Sequence, residues 1–350
     1  MNSTQWHRHC VAAEPAEPVP LTKAQWLRLS GAEVEHHRDQ LRQWIRNLHI
    51  DSSELAGIEA TLTSVVEANS ESPPGAKQLV AVTGPNALGK STLVKRWARS
   101  RYRYWIRDAS VELDFLPVWA PTPDVEADLC PVVWVNLQSS ARIKEFDSQF
   151  LEFFGLPGEG VTRSLTTRMI RAAERHGVKV LVVDDAHLLK TNWKGGRDVL
   201  DHVKHINTEL GEQGASIVLI GANLAGGDIV IDPQIAGRLR LITLPMYGAD
   251  TSADQERWQR LLLDVEDKLL PHLPAGKPGM LESELAGPLW KRTQGYIGDL
   301  ARLVIEASIH ANADGTHAIK PRHLAAVQLS ARAHAAEEAL SRPQRSNGIG

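Results

Sequence analysis

Two cysteines in 350 residues, Cys10 and Cys130, are too few to staple a fold and have no metal-ligand spacing. That excludes a disulfide framework and points to free thiols in a reducing compartment. Long apolar runs are missing as well: no stretch approaches the roughly 18 residues of a membrane-spanning helix. The opening MNSTQWHRHC lacks the apolar segment of a signal peptide. A cytoplasmic protein without a membrane partner is expected. Nor is there an excess of charge. Lys plus Arg (39) against Asp plus Glu (42) leaves a formal −3, so contact with nucleic acid has to come from a local patch. We find no internal repeat. What remains is ordinary: 43% apolar and 23% charged residues, in a length that suits one large or two medium domains. Ten scattered tryptophans read mostly as core anchors.

Residues 1–20 are polar and carry Pro15, Pro18 and Pro20, which predicts a flexible start. Helical spacing of Trp26, Leu29, Leu41, Trp44, Ile45 and Leu48 follows. A second helix is predicted from the capping stretch at Asp51 to about Ala68, and the Ser/Pro/Gly run 69–75 reads as a linker. Apolar strand candidates then alternate with helical patterns: Leu79–Thr83, Val132–Asn136, Val180–Asp184, Ser216–Ile220 and Leu241–Leu244. Such alternation predicts a parallel sheet covered on both faces, with its site at the carboxyl ends of the strands. Beyond Asp250 the patterns are helical: Ala253–Leu270, Met280–Thr293, Ile297–Ala313 and an alanine-rich helix over Pro321–Leu340, with Ser341–Gly350 read as disordered.

Between the first strand candidate and a helical segment lies Gly84-Pro85-Asn86-Ala87-Leu88-Gly89-Lys90-Ser91-Thr92. This is the phosphate-loop pattern GxxxxGK[ST] in a strand–loop–helix setting. Gly84 and Gly89 let the backbone turn tightly and bring N–H groups to phosphate oxygens. Lys90 supplies a point charge for the β and γ phosphates, Ser91 a hydroxyl for Mg²⁺, and the helix start partial positive charge. The expected ligand is therefore ATP with Mg²⁺.

A second motif supports the first. Val180-Leu181-Val182-Val183-Asp184-Asp185 is a buried strand ending in two acids, a Walker B arrangement. Asp184 would hold Mg²⁺, and Asp185 stands where a glutamate usually polarises the attacking water. Its reach is one methylene shorter, and near-attack geometry is sensitive at about an ångström. Asn223, at the tip of the next strand, fits a sensor beside the γ-phosphate. In Asp232-Pro233-Gln234-Ile235-Ala236-Gly237-Arg238-Leu239-Arg240, Arg238 is the first choice for an arginine finger reaching a neighbouring subunit, with Arg240 the alternative.

Taken in order, these pieces resemble the AAA+ ATPase subunits of transposition systems, the TniB/TnsC group with relatives such as MuB and IstB. Also similar to that group are Val199–Leu210 with its Lys204 and Asn207-Thr208-Glu209-Leu210, the segment before Arg238, and the lid motif Thr293-Gln294-Gly295-Tyr296-Ile297-Gly298-Asp299-Leu300-Ala301-Arg302-Leu303. The resemblance spans roughly 76–335. It implies an AAA+ P-loop α/β core over 76–247, a helical lid over 248–335, a flexible tail over 336–350 and an N-terminal helical segment with linker over 1–75. It also implies an ATP-bound homo-oligomer, a ring or filament on duplex DNA, that serves a transposase, with a target-selector protein as a further partner. Two positions depart from the pattern: Asp185 replaces glutamate, and no arginine immediately follows Gly298-Asp299. Arg302 lies one turn further on, which leaves the sensor 2 residue open.

For the DNA, the run from Lys90 to Arg107 offers Lys95, Arg96, Arg99, Arg101 and Arg103 with no acid among them and Tyr102, Tyr104 and Trp105 interleaved. Such cations suit sequence-independent phosphate contacts, and the family's DNA contacts tend to follow the first core helix. The alternative is a solvated helix face packed beside the acidic segment Asp124-Val125-Glu126-Ala127-Asp128. His36-His37 and the pair His202/His205 have no completing ligand set for a metal. Two rival functions stay open: a STAND-type signalling ATPase, which normally carries long regions after its ATPase, and a non-catalytic ATP-dependent adaptor.

Overall fold

Five runs form one parallel sheet because each is long enough for a strand and separated from the next by helix-forming sequence; all but the last, the half-exposed edge strand Leu239–Thr243, are apolar on both faces. The structure, a computed structural model, describes residues 1–138, 142–189 and 196–341. In chain order its elements begin with α1 (Ser3–Val11), α2 (Lys23–Trp26), α3 (Gly31–Arg46), α4 (Ser53–Glu71), β1 (Leu79–Gly84), α5 (Lys90–Trp105), β2 (Val118–Thr122), β3 (Val125–Asp128) and β4 (Val132–Asn136). There follow α6 (Ile143–Phe153), α7 (Thr162–Arg175), β5 (Val180–Asp184), α8 (Gly196–Glu212), β6 (Ser216–Ala222), α9 (Asp228–Ile231), α10 (Pro233–Ala236) and β7 (Leu239–Thr243). The chain ends with α11 (Ser252–Leu269), α12 (Ala286–Thr293), α13 (Ile297–Ala313), α14 (Pro321–Ala326) and α15 (Ala331–Ser341).

The chain forms two compact units. One holds Met1–Ala12 and Glu54–Leu244, the other Ala13–Ser53 and Pro245–Gly350. The stretch 1–75, which reads from sequence as one N-terminal segment, is thus shared between them.

In the first unit the strand order is β4-β5-β6-β1-β7, with each neighbouring pair parallel. All residues of β1 and β5 are buried. The non-sequential position of β1 makes the chain cross over and return, and it leaves the ends of β5, β6 and β1 side by side. This is the AAA+ P-loop NTPase core.

The start of the chain is a correction. Residues 3–11 form α1, with Asn2 and Gln5 exchanging capping hydrogen bonds. The segment is ordered because Trp6 and Cys10, spaced i and i+4, are both fully buried. Trp6 stacks on Trp134 of β4 at 5.6 Å, and His7 Nδ1 lies 2.8 Å from the Tyr102 hydroxyl. The antiparallel hairpin β2–β3 is a second element that the apolar periodicity does not single out.

In the second unit two predicted helices are interrupted, each by a side chain from elsewhere. The Glu266 carboxylate on α11 is buried and accepts the N–H groups of Gly279, Leu281 and Glu282. Residues Met280–Glu284 form a π turn there, and α12 starts only at Ala286. Arg292 donates to the carbonyls of Leu324 and Val327, and the alanine-rich stretch divides into α14 and α15. Residues 336–341, expected in a flexible tail, belong to α15; the rest of that tail lies outside the described residues. Gly295 has φ +73°, and a Cβ there would sit 1.8 Å from the Tyr247 carbonyl oxygen, so only glycine fits. Among the described residues no helix is long and apolar enough to cross a membrane.

Candidate nucleotide site

The phosphate-loop residues sit at the carboxyl end of β1. Gly84 (φ +145°) and Gly89 (φ +84°) both hold left-handed backbone, the condition that their residue type meets without cost. Ala87 shares it at φ +67°. Gly89 caps α5, so Lys90 and Ser91 open the helix, and its first turn carries no acid. The helix start is therefore electrostatically open to an anion.

Lys90 is nearly buried and folds back over its own loop. Its ammonium donates to the carbonyls of Gly84 (2.9 Å) and Pro85 (2.7 Å). Burial pushes its pKa down, against the pull of Asp184 and Asp185. Asp184, at the end of β5, is nearly buried too, and burial pushes its pKa up. Its Oδ1 accepts from the Ser91 hydroxyl (2.9 Å) and the Asp185 N–H (3.0 Å). A cation and an anion are thus each held against desolvation without pairing directly. A divalent metal held by Ser91 and Asp184, with phosphate on Lys90 and the α5 N-terminus, would offset both costs. The donor set fits a phosphate ligand with its metal.

Two further residues predicted from sequence join them. Asp185 follows β5 and Asn223 follows β6; both are exposed and left-handed, at φ +56° and +52°. The residues that lock them are ones the sequence motifs do not include. His187 Nδ1 accepts the Ala222 N–H at 3.4 Å, and Thr83 Oγ1 accepts the Leu224 N–H at 2.8 Å. A Cβ at Gly221 would stand 3.0 Å from the His187 nitrogen, so the two strand ends are in close backbone contact. A polar residue at or just beyond the end of an apolar strand is the sequence signal for Thr83 and His187.

Arg238 is not brought to this site. It is exposed and precedes β7, and its carbonyl accepts the Leu79 N–H at 2.8 Å. Leu79 opens β1 and Gly84 closes it, so at about 3.3 Å per residue the Arg238 backbone lies roughly 17 Å from the phosphate loop. Within its own protomer it is at the wrong end of the sheet.

The α5 cations are engaged elsewhere. Arg99 donates to the carbonyls of Cys10 (3.1 Å) and Ala12 (2.6 Å), and Arg103 donates to the same two, at 2.5 and 2.8 Å. Arg96 pairs with Glu59 (2.7 Å) and Arg101 with Glu67 (3.1 Å), both on α4. The Lys95 ammonium lies 5.0 Å from the Trp134 ring centre. The paired face is the arrangement found, with its partners on α1 and α4 rather than the acidic stretch 124–128. In the second unit Arg302 is exposed. In the first, His202 bonds the buried Asp147 at 2.8 Å, which accounts for this histidine without a metal. A cavity of about 670 Å³ lined by Phe154, Leu156, Arg168, Arg171, Arg175 and His176 stands apart from the nucleotide residues.

The chain is similar to known proteins. A family model described as TniB, bacterial TniB protein, matches residues 46–249. Among solved structures, Cdc6p from Pyrobaculum aerophilum is similar at a TM-score of 0.51 and 13% identity, covering 80% of this chain and 68% of that one. The structure of Drosophila ORC bound to DNA is similar at a TM-score of 0.50 and 12% identity, covering 91% and 70%. At these identities the likeness is one of fold. No curated protein sequence matches the chain.

Proposed function

The chain belongs to the TniB family, and on that premise we propose that it is an ATP-dependent DNA-binding regulator of transposition, which oligomerises on target DNA and recruits or activates a transposase. The observation that carries this reading is the assembled pair of nucleotide motifs, Lys90 and Ser91 against Asp184, inside a family match that runs from the end of α3 through β7. The DNA complex of a fold neighbour, Drosophila ORC, supports a DNA partner.

Each residue then has a task. Lys90 and the α5 N-terminus bind the phosphates of ATP, and Ser91 and Asp184 hold Mg²⁺. Mg²⁺ supplies charge neutralisation at the transferred phosphoryl group. Asp185 orients the attacking water and Asn223 steadies it beside the γ-phosphate. Arg238 completes the site of a neighbouring subunit, since it cannot reach its own. The shorter reach of Asp185 makes hydrolysis slow, which suits an ATP-bound assembly that persists on DNA and comes apart on turnover. For the DNA, Lys95, Arg96, Arg99, Arg101 and Arg103 would serve as phosphate contacts only by exchanging their present partners.

The deciding experiment is ATP turnover measured with and without duplex DNA, alongside electron microscopy of the protein with ATP analogue and duplex. DNA-stimulated turnover and ordered assemblies on DNA are expected. Turnover indifferent to DNA, with no DNA-bound assembly at any salt, would favour a signalling ATPase. No turnover with intact nucleotide binding would favour an adaptor.

A further inference from the structure

α8 is fixed closely on the first unit. Val203, Ile206 and Leu210 are buried, Asn207 Nδ2 donates to the Lys77 carbonyl at 2.9 Å, and a Cβ at Gly211 would sit 2.0 Å from the Gly75 carbonyl oxygen. From this helix the Lys204 ammonium reaches Asp201 Oδ1 and Asp232 Oδ2, both at 2.9 Å. Asp232 turns its other oxygen to the N–H groups of Gln234 (3.0 Å) and Ile235 (3.1 Å), so it caps α10. Pro233 pre-sets the first turn, and Ile235, 1% exposed, anchors it. The Arg238 N–H then donates to the Ile235 carbonyl (2.9 Å), and the Arg238 carbonyl accepts from the start of β1.

The backbone that presents Arg238 is therefore held at two points, the strand edge and α10. A four-residue helix has no stability of its own. Its cap is gripped by Lys204, the side chain that ties it to the rigid α8. Burial opposes the charge on Asp232, but Lys204 and the two cap N–H groups outweigh it and hold its pKa below the ordinary carboxylate value. The Arg238 side chain has no hydrogen-bond or ion-pair partner among the described residues, so its direction depends on this backbone.

We infer that Lys204 and Asp232 are positioning residues for the Arg238 finger, setting its aim at the nucleotide of the neighbouring subunit. The inference rests on the finger reading above. The Lys204–Asp232 pair is partly buried, with side chains 20% and 16% exposed, and it ties α10 to α8. Its worth lies in aim, because a misplacement of about 1 Å can cost as much as 10²-fold in rate.

The test is Lys204→Met, with Lys204→Arg as the charge-retaining control. Lys204→Met should leave the nucleotide affinity of the dispersed protein unchanged, measured with fluorescent ADP, and should lower turnover of the assembled form by about ten- to a hundredfold. Lys204→Arg should recover most of the rate. Adding Lys204→Met to Arg238→Ala should slow turnover no further. Mixing Lys204→Met with Lys90→Ala subunits should restore activity, because the second supplies an intact finger to the first's intact phosphate loop. If Arg238→Ala loses turnover while Lys204→Met keeps it, the inference falls and the finger stands. A loss that mixing does not relieve places the effect within the subunit's own site and also overturns the inference. Full turnover in Arg238→Ala overturns the finger reading, and this inference with it.

Discussion

Asp185 and Asn223 leave adjacent strands through the same backbone conformation, φ +56° and +52° with ψ 35° at both, and each leads into a single 3₁₀ turn. Left-handed backbone is tolerated by short polar side chains such as Asp and Asn and resisted by longer ones. The twin turns set both polar groups at the carboxyl end of the sheet, beside the phosphate loop. They also give a physical reason for an aspartate where a glutamate is usual: the backbone there favours the shorter acid.

Asp185→Asn tests the role apart from the conformation, since asparagine takes the same backbone. ATP affinity should change less than about twofold and turnover should fall at least about tenfold, with the assembled form accumulating. Single-turnover kinetics alongside sedimentation would show both. Equal rates in the variant and the parent would remove Asp185 from the water-orienting role.

The strands are legible in the sequence to within a couple of residues because both faces of a parallel sheet are buried, which leaves continuous apolar runs such as Val180–Asp184. The phosphate loop and Walker B strand are legible because their chemistry restricts residue type. What local sequence does not disclose is decided by distant partners. α1 is ordered by Tyr102, Trp134 and the α5 arginines, all far along the chain from it. The π turn at Met280 exists because a carboxylate on α11 takes its N–H groups. The basic run on α5 reads as free because its counterparts, Glu59, Glu67 and two carbonyls, lie on other elements.

Asp184→Asn should separate function from stability. Burial raises the Asp184 pKa above its ordinary 3.8, so the folded chain keeps a proton that the unfolded chain releases. Stability therefore falls as pH rises from that ordinary value through the raised one, and at neutral pH the buried charge is a standing cost. Asparagine keeps an acceptor for Ser91 without the charge. The nucleotide-free variant should melt higher than the parent at pH 7, by about 2–4 °C if the gain is near 1 kcal/mol, with the difference vanishing at acid pH. Its affinity for MgATP should drop at least about tenfold. A lower melting point at pH 7 would refute the electrostatic account.

Lys90→Ala removes the cation of the phosphate loop. Its lowered pKa means that the unfolded chain holds a proton more firmly than the folded one, so parent stability should rise with pH in the alkaline range below the ordinary value of 10.5. The variant should lose that rise and keep its fold, while nucleotide affinity falls at least about a hundredfold. Calorimetric titration with MgATP and melts over the alkaline range check the two halves. Undiminished affinity would remove the phosphate-loop assignment.

The arginines of α5 give the last expectation. Arg99 and Arg103 both hold the carbonyls of Cys10 and Ala12 at the end of α1, where a cation also meets the negative end of the helix. Charge-assisted hydrogen bonds of this kind contribute about 1.5–3 kcal/mol each, less where exposed. Arg99→Ala combined with Arg103→Ala should loosen α1, lower the melting point by several degrees and uncover Cys10. That thiol is fully buried, and burial pushes its pKa up strongly, so the parent should be inert to a thiol reagent. The double variant should react at one cysteine, and Cys130→Ser in the same background should identify it as Cys10. A salt titration of duplex binding with ATP analogue, run on the same proteins, decides between anchoring of α1 and a grip on DNA phosphates. Anchoring predicts an unchanged salt slope. A slope shallower by about 0.9 for every phosphate no longer neutralised, with Cys10 still protected, would make these arginines DNA ligands and return the interface to this helix.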